Sequence, residues 1–329
     1  MPEMRRETLF NAALALLLLA LPLGAWLLGE SYYVSLGARV AILALAGVGL
    51  NLALGFGGMV SFGHAAFFGL GGYAAGVLSH HAFEGSAVLN WPVMLEGSDS
   101  TLVLWAAALF LSGVVAAAIG AISLRTSGVY FIMITLAFAQ MIFYMAVSLP
   151  TYGGEDGLPL YLRSGFAGLD LSDELVFFLV CYGLLLLAIL LSFRLVGSRF
   201  GAALECARQN ETRLGAVGIA PYPVKLTAFV LSAMITGLAG ALFVELNGFV
   251  SPAMLSWQVS GEIMIFVILG GVGRLYGPIA GAILFIVLET VIGGYTERWQ
   301  LFLGVILLMV VLFARGGVIG LVAGKARHD

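Results

Sequence analysis

Phe193–Lys225 reads FRLVGSRFGAALECARQNETRLGAVGIAPYPVK, the longest basic interruption in an otherwise apolar chain. It carries Arg194, Arg199, Arg208, Arg213 and Lys225 against only Glu205 and Glu211. Apolar runs long enough to cross a bilayer flank it on both sides. A basic connector between membrane spans belongs on the cytoplasmic side. From Ser198 onward, Phe200, Ala203, Leu204, Ala207 and Leu214 fall on one helical face, and Glu205, Arg208, Gln209, Thr212 and Arg213 on the other. Ser198 is a suitable N-cap, and Gly215, Gly218, Pro221 and Pro223 supply stop signals. Such a helix either lies on anionic lipid with its arginines among the headgroups or fits a groove in a cytoplasmic protein. The pattern is compatible with both.

Working outward, the 329 residues are 61% hydrophobic and only 10% charged, with mean hydropathy +1.06. A soluble domain carries about 25% charged residues, so the chain lacks the polar surface of one. Several runs reach the roughly 18–20 apolar residues that span hydrocarbon, which selects helices over a barrel. The net charge of −3 says little, because charge here is sorted by side of the membrane. Cys181 sits in an apolar run and Cys206 in the basic loop, so both read as small packing residues rather than a disulfide. Arg5-Arg6 followed by Leu14–Leu21 reads as an uncleaved first helix.

The expected fold is an all-α polytopic membrane protein. Apolar runs lie near 10–29, 36–56, 59–80, 102–122, 129–148, 174–194, 226–246, 257–272, 277–294 and 299–315. Ten crossings with the N-terminus inside put Arg5, Arg6, Arg125, Arg194, Arg199, Arg208, Arg213, Lys225, Arg274, Arg315, Lys325 and Arg327 in the cytoplasm. Arg39, Arg163 and Arg298 fall outside, so twelve of the fifteen Lys and Arg residues obey the positive-inside rule. Both termini are then cytoplasmic. The outer connectors 81–101 and 149–173 carry Glu84, Glu96, Asp99, Glu155, Asp156, Asp170 and Asp173.

The 1–329 chain reads as a single permease-like domain. The connector 149–173 divides it into half 1 (1–148) and half 2 (174–315), the latter holding the basic loop 195–225. Five spans per half forces the halves into inverted orientation, a plan that puts a pathway at their interface. Both halves contain a Gly-interrupted apolar segment, Gly57-Gly58 to Gly63 and Gly270-Gly271 to Gly277. Small or polar residues recur four apart at Gly47, Asn51, Gly55, at Ala233, Gly237, Ala241, and at Gly273, Gly277, Gly281, as close helix packing in lipid requires.

No enzyme chemistry emerges. His64, His80, His81 and His328 have no second ligand at metal spacing, so no metal site is expected. No phosphate-binding Gly-rich loop ends in Lys-Ser/Thr. Ser61 and Ser127 lack a His–Asp pair. Ionisable groups inside spans are costly unless they face a partner or cavity, which singles out Glu245, Glu262 and Glu289. A self-sufficient ion-coupled carrier would use Glu289 or Glu262 for coupling. The pathway candidates are Asn51, Ser61, His64, Thr135 and Gln140, around the meeting of segments 55–76 and 268–281. His64 reads more naturally as a hydrogen bonder between helices than as a ligand.

Several ordered pieces carry a resemblance. They are Asn51–Tyr73 (NLALGFGGMVSFGHAAFFGLGGY), Arg125–Phe131 (RTSGVYF), Thr151–Gly157 (TYGGEDG), Ala207–Glu211 (ARQNE), Leu214–Ile219 (LGAVGI), Lys225–Phe229 (KLTAF) and Ile268–Pro278 (ILGGVGRLYGP). Over about residues 38–315 the chain resembles the LivM-type permease subunits of branched-chain amino acid ABC importers, a family that also contains urea and amide permeases. The resemblance implies a bacterial inner-membrane complex with a LivH-like second permease, two cytoplasmic ATPases and a periplasmic binding protein. ATP and magnesium would be held by the ATPases and no cofactor by this chain; nucleic acid has no part. The basic loop would then resemble an ABC coupling helix, with Ser198, Glu205, Arg208, Glu211, Arg213 and Gly218 as its residues. Glu205-Cys206-Ala207 fits the Glu-Ala-Ala…Gly pattern of that helix in part, but Glu211 stands where its Gly would be. The resemblance therefore assigns the loop rather than its single contacts.

Overall fold

The computed structural model describes residues 2–89, 95–160, 171–296, 298–313 and 316–323. Arg163, Asp170, Arg315, Lys325, Arg327 and His328 lie outside the described residues, as do part of the 149–173 connector and the side chains of Arg5 and Arg6. Each of the ten apolar runs forms a helix, because hydrocarbon leaves a backbone no partner but itself. They are α1 (Pro2–Leu27), α2 (Ser31–Asn51), α3 (His64–Glu84), α4 (Thr101–Ser123), α5 (Val129–Val147), α6 (Glu174–Val196), α9 (Pro221–Asn247), α10 (Trp257–Gly270), α11 (Gly277–Gly293) and α12 (Trp299–Phe313). The basic loop supplies α7 (Arg199–Gln209) and α8 (Glu211–Ala216), and α13 (Gly317–Ala323) follows α12.

Among the described residues, six helices are long and apolar enough to cross a membrane. They are α1 from Leu9, α2 continued to Phe56, α4, α5, α6 and α9. The others depart from the expected runs in instructive ways. α3 begins at His64 rather than near 59, leaving 57–63 without helical backbone. Such a segment is tolerated at membrane depth only where protein covers it; Met59, Ser61 and Gly63 are buried accordingly. α10 has 14 residues, about 21 Å of helix, short of the roughly 30 Å hydrocarbon core.

The bundle is built around α2 and α9, which pack on each other. α2 also contacts α1, α6, α10 and α11, while α9 also contacts α3 and α4. α3 packs on α4, and α10 on α11. Outside the bundle, β3 (Leu158–Pro159) pairs antiparallel with β4 (Phe249–Val250), following β1 (Ala87–Leu89) and β2 (Leu95–Glu96) in chain order. The β3–β4 pair ties the 149–173 connector to the end of α9. Gly248, with φ of 64°, makes the left-handed turn that closes α9.

Glycine sets the closest approaches. A Cβ on Gly237 would strike Ser112 of α4, and one on Gly240 the carbonyl of Phe68 in α3. At Gly49 it would lie 2.8 Å from Ser232 O of α9, and at Gly47 2.9 Å from the Pro278 ring of α11. Gly281 brings α11 onto the Phe266 backbone of α10, where the carbonyl carbon would sit 2.7 Å from an added Cβ. Gly304 of α12 has nothing within 4 Å of such an atom. Gly281→Ala should therefore destabilise the detergent-solubilised protein by about 1–3 kcal/mol, because backbone cannot rotate aside. Gly304→Ala should leave it unchanged within about 0.5 kcal/mol. Thermal unfolding of both variants checks this, and equal shifts would deny close packing as the cause.

Candidate functional site at the C-terminal end of α2

α2 does not end cleanly at Asn51. Leu52–Phe56 continue it as a π-helical turn, in which Gly57 N donates five residues back to Leu52 O at 3.2 Å. Wide turns of this kind are rare and recur at functional positions. Met59 N, which an unbroken α-helix would direct to Gly55 O, donates instead to Ala53 O at 2.9 Å. Asn51 is buried, 2% exposed. Its Nδ2 donates to Arg274 O at 2.8 Å, and its Oδ1 accepts from Gly273 N at 3.0 Å. Both partners belong to the loop between α10 and α11. Gly55 permits this approach, since a Cβ there would lie 2.6 Å from Gly273 N. The two Gly-interrupted segments thus meet in direct backbone contact. Gly277 stacks on Gly271 O at 2.5 Å from an ideal Cβ, and Gly273 has φ of 76°.

The basic loop packs against this seam. Ser198 caps α7, accepting from Gly201 N at 3.4 Å. Gly201, Ala203, Leu204 and Ala207 are buried, the face expected from the spacing. One correction is needed: the helix does not run on to Leu214. Asn210 leaves helical geometry at φ −162° and ψ 106°, and its Oδ1 accepts from Arg213 N at 3.0 Å to start α8. Glu211 pairs with Lys225 of α9, and Gly218 makes the turn at φ of 88°. Pro221 does not stop a helix but opens α9, where its missing N–H costs nothing. Glu205 is half-buried and Arg213 is exposed. Arg208 is exposed as a residue, yet its Nη1 donates to Gly55 O at 2.6 Å. Its stem lies beneath Gly58, whose φ is 67° and whose missing side chain leaves the room.

Of the remaining pathway candidates, His64 makes a helix-to-helix contact, while Ser61 and Thr135 are held by local hydrogen bonds. His64 is fully buried, and its Nε2 lies 2.8 Å from Ser232 Oγ. Ser232 spends its single proton on Gly49 O at 2.6 Å, so it accepts from His64, whose proton is on Nε2. The His64 ring also meets Phe67 and Phe229 edge-on. Ser61 Oγ accepts from Gly63 N at 3.1 Å. Thr135 Oγ1 donates to Ile132 O at 3.0 Å, and its carbonyl would lie 3.3 Å from a Cβ on Gly63. Ser61, Gly63, His64 and Thr135 thus adjoin, while Gln140 stands half-buried farther along α5. None of the five candidates lines the apolar cavity of about 370 Å³ between α3, α4 and α5, which is bounded by Leu70, Tyr73, Phe110, Ile142 and Leu255.

Sequence reading passed over Ser232, Ser260 and Ser112. Ser260 Oγ donates to Phe62 O at 2.7 Å and accepts from Ala65 N at 2.8 Å, satisfying the non-helical entry to α3. Ser112 Oγ donates to Phe67 O at 3.3 Å. The available signal was hydroxyls in apolar runs beside small-residue stripes, as at Ser232 next to Ala233 and Gly237. Of the acids, Glu289 accepts from Arg39 Nη2 at 3.0 Å, joining α11 to α2. Glu262 of α10 is within electrostatic reach of that pair, and Glu245 is buried at 5% exposure.

Comparison with known proteins agrees with this architecture. The chain is 27% identical to the high-affinity branched-chain amino acid transport system permease protein LivM of Escherichia coli K12, over 95% of this chain and 75% of that protein. It is equally identical, 27%, to its Salmonella typhimurium counterpart over 87% of this chain and 69% of that one. It is 23% identical to the permease protein LivH of the same system in Salmonella typhimurium, over 87% of this chain and 93% of that one. No solved structure matches. The family described as branched-chain amino acid transport system / permease component matches residues 32–312, and with a helical, multi-pass membrane architecture around that match the chain belongs to it.

Proposed function

We propose that this chain is one permease subunit of an ATP-driven importer that moves branched-chain amino acids inward across a bacterial cytoplasmic membrane. The observation that carries this reading is the family match over 32–312, joined to an apolar helical bundle that presents a short basic helix pair, α7–α8, at one end. The chain is a transport subunit, and its work is conformational. The chain crosses the membrane ten times, α10 together with the non-helical backbone next to it, both termini are cytoplasmic, and the two halves are inverted. The exchange of contacts supports that plan, because α2 reaches into the α10–α11 pair and α9 into the α3–α4 pair.

The chain pairs with a LivH-like second permease, and together they sit on two ATPase subunits that bind ATP and magnesium. α7–α8 and the following turn to Gly218 dock on an ATPase. Burial of Ala203, Leu204 and Ala207 against the bundle supports docking on protein over lying on lipid, because α7 has no apolar face left to sink among headgroups. A periplasmic binding protein delivers substrate to the outer connectors. An ion-coupled carrier is disfavoured because Glu289, its best coupling group, is already neutralised by Arg39.

Affinity-tagged chain purified in mild detergent should bring down a second permease and an ATPase. In liposomes this complex should accumulate leucine, isoleucine or valine only with ATP inside the ATPase compartment and binding protein on the other side. Uptake on an ion gradient alone would overturn the reading, and uptake of urea in place of these amino acids would move the chain to the amide branch of the family. Glu289→Gln, which breaks the pair with Arg39, should leave ATP-driven uptake in place. An ion-coupled carrier would lose uptake altogether with that substitution.

A further inference from the structure

Arg208 sits on the polar side of α7, where helical spacing aims it at solvent, yet its guanidinium turns back into the bundle. The acceptor it reaches is Gly55 O, the carbonyl that Met59 N abandons for Ala53 O. Four residues before Gly55, Asn51 holds Gly273 N and Arg274 O. Three hydrogen bonds of 2.6, 2.8 and 3.0 Å therefore connect α7, the π-helical end of α2 and the loop between α10 and α11. We propose that Arg208 is the positioning residue that transmits displacement of α7 to the α2 end and to the α10–α11 loop. Through them it sets access at the cytoplasmic mouth of the pathway. The inference rests on the importer reading above.

The contact chemistry separates Arg208 from its neighbours. Ala203, Leu204 and Ala207 meet the bundle through apolar surface, which carries a push but yields to sliding or pulling. A short, charge-assisted bond from a guanidinium holds direction as well as distance. A π-helical turn is rare and recurs at functional positions, and here it frees Gly55 O from the Met59 N bond that an unbroken α-helix would give it. Gly58 completes the seat: the Arg208 Cγ would lie 2.8 Å from a Cβ there, so any side chain at 58 competes with the arginine stem.

The test uses the complete complex in liposomes and reads ATP hydrolysis and uptake together. Arg208→Ala should assemble with the ATPase and hydrolyse ATP, while uptake per ATP falls about tenfold, a coupling loss of ordinary allosteric size. Arg208→Lys, which keeps a donor for Gly55 O, should recover part of the ratio. A third variant replaces the bond covalently. An ideal Cβ at Gly58 lies 3.6 Å from Arg208 Cβ, within disulfide range, so Gly58→Cys with Arg208→Cys, in a Cys206→Ser background, should be uncoupled when reduced and coupled again when oxidised. Loss of ATPase assembly in Arg208→Ala would overturn the proposal by making Arg208 a docking contact. So would an unchanged uptake-to-ATP ratio, or an oxidised cysteine pair that stays uncoupled. Absence of ATPase from the unsubstituted complex overturns the importer reading and the relay with it. That result is distinct from the relay's own failure, in which the unsubstituted complex couples and the variants couple equally well.

Discussion

Helices in hydrocarbon gain nothing by hiding apolar surface from a solvent that is itself apolar, so their association depends on how closely backbones approach. In this protein that approach is made at glycine, and α9 is where it matters most. Gly237 and Gly240 lie one turn apart and admit Ser112 of α4 and the Phe68 carbonyl of α3. On its other side α9 meets Gly49 of α2 through Ser232 and Thr236. Close contact then makes short polar bonds available, since Ser232 reaches both Gly49 O and His64 only because α2, α3 and α9 converge there. The hydroxyl network is a consequence of the packing and would be out of reach in a looser bundle.

The same closeness allows the helices to break. Segment 57–63 and the loop 271–276 carry backbone groups that lipid cannot satisfy, and each unsatisfied group in hydrocarbon costs several kcal/mol. Ser260 supplies Phe62 O and Ala65 N, Ser61 supplies Gly63 N, and Asn51 supplies Gly273 N and Arg274 O. Every one of these side chains is small, polar and placed where a glycine or alanine neighbour leaves room. Asn51 and Ser61, pathway candidates by polarity, are thus spent on holding irregular backbone inside the bundle, which is also what lets that backbone exist where α7 can grip it.

Much of the fold was legible in the sequence because hydrophobic run length is a strong signal in a membrane chain. All ten runs became helices, and the buried side of α7 fell where spacing put it. The π-helical turn was not legible: Leu52–Phe56 is apolar throughout, and one extra residue per turn leaves no mark on an all-apolar pattern. Nor was the break at Asn210, which reads as an ordinary polar position until its side chain is seen capping Arg213 N. Arg208 shows the deeper limit. Periodicity reports where a Cβ points, whereas a long arginine stem can carry its charge back across the helix to a carbonyl. His64 and Asn51 were picked out by polarity, but polarity alone does not tell a side chain that meets cargo from one that meets backbone.

Arg208 grips α2, and α2 does not stand alone. It is joined to α11 at three heights: Asn51 to the Arg274 carbonyl just before α11, Gly47 against Pro278, and Arg39 to Glu289. From Gly47 back to Arg39 is about 12 Å of helix, and from Pro278 on to Glu289 about 16 Å, at 1.5 Å per residue, a difference that the long Arg39 side chain spans. The two antiparallel helices therefore stay in contact from the Asn51 seam to the ion pair. Two helices pinned near both ends and touching between tilt together more readily than they bend or slide. On the proposed relay, a displacement entering at Gly55 acts on the α2–α11 pair as a unit, with the π-helical turn lying between the pinned length and α7.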